Sequence, residues 1–144
     1  MTELLKRRSV DLLVEQFWRK GYLTLSRKFG TYLPEPTSVG GFDVDIIARQ
    51  KNKYAIGLTI NDEDLKDNNS LIIKLSYLAT RQTRFGNTPV MLFVGVKQEN
   101  FRYLKATIDQ LEEDIRKNIK LVQISDHPTT SPQKFDDRRQ PLFS

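Results

Sequence analysis

The stretch that decides the fold lies in the first half of the chain and reads Gly40-Gly41-Phe42-Asp43-Val44-Asp45-Ile46-Ile47-Ala48. A polar segment, Gln50-Lys51-Asn52-Lys53, follows it, and a second apolar run then occupies residues 54–60. Two apolar runs joined by a short polar turn predict a β-hairpin. The hairpin strands are predicted over 42–48 and 54–60.

The segments around this hairpin complete an α/β pattern. Apolar residues at three-to-four spacing predict helices over 3–20, 70–84 and 98–118. Further strands are predicted over 22–28, 89–96 and 120–124. The run at 89–96 is almost continuously apolar, which is typical of a strand buried on both faces of a parallel region. The order α-β-β-β-α-β-α-β predicts an α/β protein with a mixed sheet flanked by helices.

Length and composition restrict the classes of protein that remain. The chain has 144 residues, which suits one domain over residues 1–124 and a partly ordered tail over 125–144. It has no Cys and one His, so disulfides, cysteine-ligated zinc and His-pair metal sites are excluded. No apolar run is long enough for a membrane helix, and no signal peptide is recognisable. We therefore expect a cytoplasmic protein without a membrane partner.

The charge is unevenly distributed along the chain. The net charge is +5, and residues 1–60 contain ten basic against six acidic side chains. A basic excess is compatible with a phosphate-bearing partner, but charge alone favours a solvated, mildly basic surface. The basic residues of the first helix and strand are the candidate phosphate contacts: Lys6, Arg7, Arg8, Arg19, Lys20, Arg27 and Lys28. Tyr32, in the following loop, is expected to pack over the sheet, with base stacking as the alternative.

Asp43 and Asp45 are the candidate chemical groups. Residues two apart in a strand point to the same face, and Asp is uncommon in strands. The pair is therefore either part of a solvated sheet face or a site for a hard cation such as Mg²⁺, which favours carboxylate oxygens.

The segment from Gly40 to Ala48, with the turn and strand after it, resembles the core of the PD-(D/E)xK nuclease superfamily. The end of the first helix, Glu15-Gln16-Phe17-Trp18-Arg19-Lys20-Gly21-Tyr22, is similar to the helix-to-strand passage of the archaeal Holliday junction resolvases and their bacterial relatives. The resemblance implies a restriction-endonuclease-like αβββαβ core. It also implies binding of nucleic acid, with DNA the expected form, Mg²⁺ or Mn²⁺ as cofactor, and a two-fold homodimer.

The resemblance assigns residues only in part. Asp45 matches the first metal-binding Asp of the superfamily, Asp43 resembles the acidic residue that often precedes it, and Glu15 resembles a supporting helix carboxylate. The second half of the motif should read acidic–x–Lys, but Gly57-Leu58-Thr59 stands there. If the protein cleaves nucleic acid, Thr59 or Gly57 is expected to contribute to the metal site through its backbone carbonyl oxygen. Lys74, on the next predicted helix, is a candidate replacement for the lysine, although residues 61–68 are expected to be a solvated acidic loop.

Three hypotheses follow. The leading one is a nucleic-acid-binding protein on this nuclease-like fold, with altered or lost metal-dependent phosphodiester hydrolysis. The alternative is a protein-interaction or dimerisation module on a catalytically inactive nuclease fold. The third is an unrelated α/β domain in which the Asp43–Asp45 pair occurs by chance.

Overall fold

A computed structural model describes residues 3–84 and 86–125 of the chain. The helices are α1 (Glu3–Arg19), α2 (Asp62–Lys66), α3 (Asn68–Ala79), α4 (Gln98–Asp109) and α5 (Glu113–Arg116). The strands are β1 (Leu23–Arg27), β2 (Ile46–Gln50), β3 (Lys53–Ile60), β4 (Met91–Lys97) and β5 (Ile119–Ile124). The protein is therefore α/β, as the sequence pattern predicts.

The five strands form one mixed sheet in the order β1-β2-β3-β4-β5. β1, β2 and β3 pair antiparallel, and the predicted hairpin places Ile46 opposite Gly57 and Gln50 opposite Lys53. β3, β4 and β5 pair parallel. Parallel neighbours need a crossover, and the chain between β3 and β4, like that between β4 and β5, contains helices. β4 is buried along most of its length, as its apolar run predicts.

Helix α1 covers one face of the sheet. Its residues Val10, Leu13 and Phe17 are fully buried and pack with Tyr22 and Phe93. The rings of Phe17 and Phe93 lie 4.7 Å apart between centroids. Aromatic contacts at this separation stabilise the core beyond the area that they bury.

The other face carries the larger core and packs against α3, α4 and α5. Leu71, Leu75 and Leu78 of α3 share this core with Leu104 and Ile108 of α4. The molecule therefore has three layers, with the sheet between α1 and the remaining helices.

Several element boundaries differ from the sequence prediction. Asn61 caps a short helix, α2, within the expected acidic loop, because its side chain accepts from the Asp64 backbone N–H and the Asp64 carboxylate accepts from the Asn61 backbone N–H. The predicted helix 70–84 ends at Ala79. The predicted helix 98–118 is interrupted after Asp109, where Arg116 Nη1 donates to the Asp109 carbonyl oxygen at 3.1 Å.

Residues 126–144, which contain nearly all of the predicted tail, lie outside the described residues. Within residues 3–84 and 86–125, no helix has the length and apolar character required to cross a bilayer.

Candidate functional site around Asp45

Asp45 lies immediately before β2, between the ends of β1 and β3. Its backbone N–H donates to the Gly57 carbonyl oxygen at 3.0 Å, and its own carbonyl oxygen accepts from the Lys28 backbone N–H at 2.9 Å. The residue is only 3% exposed. Because both neighbouring strands hold its backbone, the position of its carboxylate is fixed by the sheet.

The Asp45 carboxylate is bound by Thr59 and by two lysines. Its Oδ2 atom accepts from the Thr59 backbone N–H at 2.7 Å and from Thr59 Oγ1 at 2.9 Å. Lys6 Nζ, from α1, donates to the same oxygen at 3.1 Å. Lys28 Nζ lies 3.7 Å from the other oxygen, Oδ1. The buried charge is thus compensated by ion pairs and hydrogen bonds, which burial of a carboxylate requires.

The Lys6 ammonium group has three oxygen partners. Besides Asp45 Oδ2, it donates to the Thr59 carbonyl oxygen at 3.2 Å and to Thr59 Oγ1 at 2.5 Å. An ammonium group has three N–H donors, so these contacts match its donor number. A carboxylate, a hydroxyl and a carbonyl oxygen are also ligands of the kind that hard metal cations use. Lys6 therefore provides a covalently tethered cation at this position.

A third lysine, Lys74 of α3, lies half-buried at the same end of the sheet. Burial lowers the pKa of the Lys74 ammonium group, and the charge of Lys6 adds to this lowering. Asp45, Asp64 and Asp43 oppose it, but desolvation is the largest cause. Lys74 is the predicted candidate for a replacement lysine, and in the structure its charge interacts with that of Asp45.

The strand predicted over 42–48 begins later in the structure, which removes the basis for a common strand face of Asp43 and Asp45. β2 begins at Ile46, so neither Asp lies within a strand, and the alternation argument does not apply to them. Val39 and Phe42 form an isolated bridge around Gly40 and Gly41, both of which have positive φ, and this turn shortens the strand. As a result Asp45 is buried while Asp43 is exposed.

Glu15 lies on the outer surface of α1. Its side chain is 54% exposed and pairs with Arg19 at 3.2 Å. It follows Lys6 by nine residues, which corresponds to about two and a half turns and places it on the opposite side of the helix. The structure therefore brings Lys6, and not Glu15, to Asp45.

Gly57 and Thr59 stand where the resemblance implies an acidic residue and a lysine. Both residues face α1. A Cβ atom at Gly57 would lie 2.7 Å from Phe17 Cε2 and 3.0 Å from Ile46 Cβ. Real Cβ atoms do not approach other atoms so closely, so Phe17 occupies the space that a side chain at position 57 would need. Thr59 uses both its hydroxyl and its backbone N–H on Asp45.

The basic residues proposed as phosphate contacts separate into two groups. Lys6 and Lys28 contact Asp45, Arg27 pairs with Asp11, and Arg19 pairs with Glu15. Arg7, Arg8 and Lys20 are exposed. Lys6 and Lys28 are recognisable in the sequence as basic residues, but no local signal shows that they compensate the charge of the buried Asp45.

Tyr32 is 96% exposed, so the expectation that it packs over the sheet is wrong. It lines a cleft of about 430 Å³ together with Arg7, Arg27, Phe29 and Asp11. The Arg7 guanidinium carbon lies 5.7 Å from the centre of the Phe29 ring. This surface combines an accessible aromatic ring with basic side chains next to the N-terminal half of α1.

With the Lys6 ammonium group bound to the Asp45 and Thr59 oxygens, the donor set around Asp45 does not fit a divalent cation. Within residues 3–84 and 86–125, no group of three or more His, Cys, Asp or Glu side chains is arranged to hold a metal ion. One carboxylate is surrounded by lysines, and their positive charges disfavour a second cation. The expectation of Mg²⁺ or Mn²⁺ bound by Asp45, Asp43 and Glu15 thus lacks a matching arrangement of side chains.

Comparison of the chain with protein-family models, with curated proteins and with solved structures finds no match. The resemblance to the PD-(D/E)xK superfamily therefore stays a prediction.

Proposed function

We propose that this protein binds nucleic acid through the surface around Asp45 and α1 and does not hydrolyse it with a metal ion. The proposal includes a restriction-endonuclease-like core. It is supported by the order of α1 and β1–β3, followed by helices and by β4 parallel to β3. The observation that carries it is the Lys6 ammonium group, which is bound by the Asp45 and Thr59 oxygens.

Loss of hydrolysis follows from the same contacts. Metal-assisted cleavage needs a bound cation that activates water and stabilises charge on the phosphate. Here a lysine holds the oxygens that would bind the cation, and Gly57 supplies no second carboxylate. Catalytic groups of this kind act as a unit, so the loss of several of them removes activity far beyond the effect of one.

Binding of phosphate is compatible with the same charges. Lys6, Lys28 and Lys74 surround one buried carboxylate, whereas Asp43 and Asp64 are exposed, where water and salt screen them. Arg7 and Arg8 extend the basic surface along α1. Such lysines and arginines position a phosphate backbone without reading its sequence.

Tyr32 provides the second element of a nucleic-acid surface. Bases stack on exposed aromatic rings regardless of sequence, and Tyr32 is almost fully exposed beside Arg7. Basic groups and an accessible ring in one place favour a strand with unpaired bases, as occurs in single-stranded or branched DNA.

The binding experiment measures fluorescence anisotropy of labelled single-stranded, duplex and four-way-junction DNA over a series of salt concentrations without divalent metal. We expect Lys28→Gln/Lys74→Gln to weaken binding about tenfold and to reduce the salt slope by about one to two. The matched control is Lys117→Gln/Lys120→Gln, which removes two exposed lysines elsewhere. Equal affinities for the two double variants would contradict the proposed surface.

A second pair of variants tests stacking. We expect Tyr32→Ala to weaken single-stranded DNA binding about tenfold. Tyr103→Ala removes a half-exposed ring on α4 and should leave the affinity unchanged. If both variants bind like the unmodified protein, Tyr32 does not contact the bases.

Hydrolysis is tested on the same substrates in Mg²⁺ and in Mn²⁺, with Asp45→Ala beside the unmodified protein. We expect no cleavage by either. Metal-dependent cleavage that disappears in Asp45→Ala would overturn the proposed loss of activity and would identify Asp45 as catalytic.

The alternative function, a dimerisation or protein-interaction module, has one observation in its favour. Trp18 and Leu23 are 72% and 62% exposed, and they flank the connection between α1 and the edge strand β1. Exposed apolar side chains next to a sheet edge favour association. Sedimentation of the unmodified protein and of Trp18→Ser tests this. A dimer that Trp18→Ser dissociates, together with no affinity for DNA, would favour the alternative.

A further inference from the structure

A second basic region lies at the opposite end of the β2–β3 hairpin. A cleft of about 670 Å³ opens between the hairpin turn and the chain that follows α3. Its volume lies within the range typical of small-molecule sites. The residues that line it come from β2, β3, the turn between them and the segment between α3 and β4, together with Val39 from the loop before β2.

The lining combines an apolar floor with a cationic rim. Val39, Ile47, Tyr54, Ala55, Ile56 and Val90 supply the apolar groups. The charged groups of the lining are Arg49, Lys51, Arg81 and Arg84, and no carboxylate is among the lining residues of the described chain. Four cations without a counter-charge in the cleft favour an anionic ligand.

Arg81 is held in a defined position at this rim. Its guanidinium carbon lies 3.8 Å from the centre of the Tyr77 ring, and its Nε donates to the Tyr77 carbonyl oxygen at 2.9 Å. Stacking and hydrogen bonding restrict the side chain before any ligand arrives, so less conformational entropy is lost on binding. Guanidinium groups suit phosphate because their planar N–H donors match its oxygens.

The cleft is separate from the Asp45 site. Asp45 precedes β2, whereas Lys51 follows it, and six residues of extended chain span about 20 Å. Lys6, Lys28 and Tyr32, which carry the proposed nucleic-acid surface, are not among the residues that line this cleft.

We propose that the cleft binds a small phosphate ester that carries a flat, weakly polar ring system, the chemistry that nucleotides represent. The ring lies against the apolar floor, in reach of Tyr54, and the phosphates contact Arg49, Arg81 and the neighbouring cations. This ligand uses both features of the cleft, whereas inorganic phosphate uses only the rim.

The test is isothermal titration calorimetry of the full chain with ATP, AMP and inorganic phosphate, without divalent metal. We expect ATP and AMP to bind with Kd values below 1 mM (on the order of small-ligand affinities) and inorganic phosphate to bind at least tenfold more weakly. Arg49→Gln/Lys51→Gln should weaken ATP binding at least tenfold. Arg102→Gln/Lys120→Gln makes the same change of charge on α4 and β5 and should change Kd less than twofold.

Other outcomes overturn the assignment. If ATP and AMP show no heat of binding, or if both double variants bind ATP equally, the cleft is not a nucleotide site. If phosphate binds as well as AMP, the apolar floor does not take part and the ligand is a simple anion. If Arg49→Gln/Lys51→Gln weakens DNA binding as much as ATP binding, the cleft belongs to a nucleic-acid surface. Because Lys28→Gln/Lys74→Gln leaves this cleft unchanged, it should retain ATP binding whether or not the chain binds DNA.

Discussion

The two basic regions at the ends of the β2–β3 hairpin differ in the kind of cation that they use. The Asp45 region contains lysines gathered around one buried carboxylate. The cleft at the hairpin turn contains three arginines and a lysine without a carboxylate among its lining residues. In the first region two of the lysines pair with a carboxylate of the protein, whereas in the second no carboxylate from the part of the chain that the structure describes lines the cleft.

The difference distinguishes charges that also pair with a buried carboxylate from charges that have no carboxylate among the described residues beside them in the cleft. A compact ammonium group fits among several oxygens, while a planar guanidinium suits a ligand with two oxygens side by side. Removal of a charged group should therefore lower the free energy of unfolding more at the Asp45 region than at the cleft. Helix α3 connects the two, because Lys74 lies towards Asp45 and Tyr77 supports Arg81.

The largest effect is expected for Asp45→Asn. This change leaves Lys6 and Lys28 near a neutral amide, and loss of one partner of a buried pair should lower the free energy of unfolding by about 3 kcal/mol. Arg49→Gln in the cleft should change it by less than about 0.5 kcal/mol. Urea denaturation measures both. Equal losses for the two variants would contradict the distinction between the regions.

The next largest effect is expected when the Lys6 ammonium group is removed and Mn²⁺ is added. Lys6→Met leaves Asp45 and the Thr59 carbonyl oxygen without their tethered cation, so a divalent ion should take its place. At a Mn²⁺ concentration ten times Kd, the variant should gain about 1.4 kcal/mol of unfolding free energy, while the unmodified protein gains none. The control is Lys20→Met, an exposed lysine at the end of α1. Thermal unfolding with and without Mn²⁺ measures the gain in stability. If Mn²⁺ does not stabilise Lys6→Met, the Asp45 and Thr59 oxygens do not bind a cation.

Lys74→Met tests the cost of keeping a cation half-buried. Since burial lowers the pKa of Lys74, the unfolded state binds more protons between the lowered pKa and the ordinary value of about 10.4. Stability of the unmodified protein therefore rises with pH in that interval. Lys74→Met should be more stable at pH 7, and its advantage should shrink as the pH approaches 10. If the difference in stability between Lys74→Met and the unmodified protein does not change with pH, the lowered pKa of Lys74 does not explain it. Lys74→Met should also bind DNA more weakly.

The smallest effect is expected for Asp67→Asn at the start of α3. The Ser70 hydroxyl and backbone N–H donate to Asp67 at 2.7 and 3.1 Å and lower the pKa of its carboxyl group. Such a group stabilises the fold above its unfolded pKa, and the contribution is lost as the pH falls through the folded pKa. The variant should therefore melt slightly lower at pH 7 and approach the unmodified protein towards pH 2. Because α3 supports both regions, a shift in ATP affinity as well would show that the helix couples them.

The regular parts of the fold could be predicted from local sequence. Alternating and continuous apolar runs located all five strands, because strand burial leaves a direct pattern in the residues. The boundary of β2 could not be predicted, since it depends on the turn around Gly40 and Gly41 and on pairing with β1. The absence of an acidic residue at position 57 and of a lysine at position 59 could be seen directly, because the sequence itself shows Gly57 and Thr59 there.

The contacts of the site could not be predicted from local sequence. Lys6 and Asp45 are 39 residues apart, and only the packing of α1 on the sheet brings them together. The apolar pattern of α1 predicted the helix but only part of its buried face, because Leu13 and Phe17 are buried whereas Leu4, Leu5 and Trp18 are exposed. It also could not show which residue of the sheet lies opposite Lys6. The cleft combines residues 39–56 with residues 81–90, so its charge could not be recognised before the fold was known.

The packing of Phe17 against Gly57 limits how this chain could change over evolutionary time. A single mutation to an acidic residue at position 57 would force a side chain into the ring of Phe17 and would destabilise the core before any metal could bind. A side chain at position 57 therefore needs an accompanying substitution that makes position 17 smaller. The close contact between one ring and one glycine thus makes the substitutions allowed at positions 17 and 57 depend on each other.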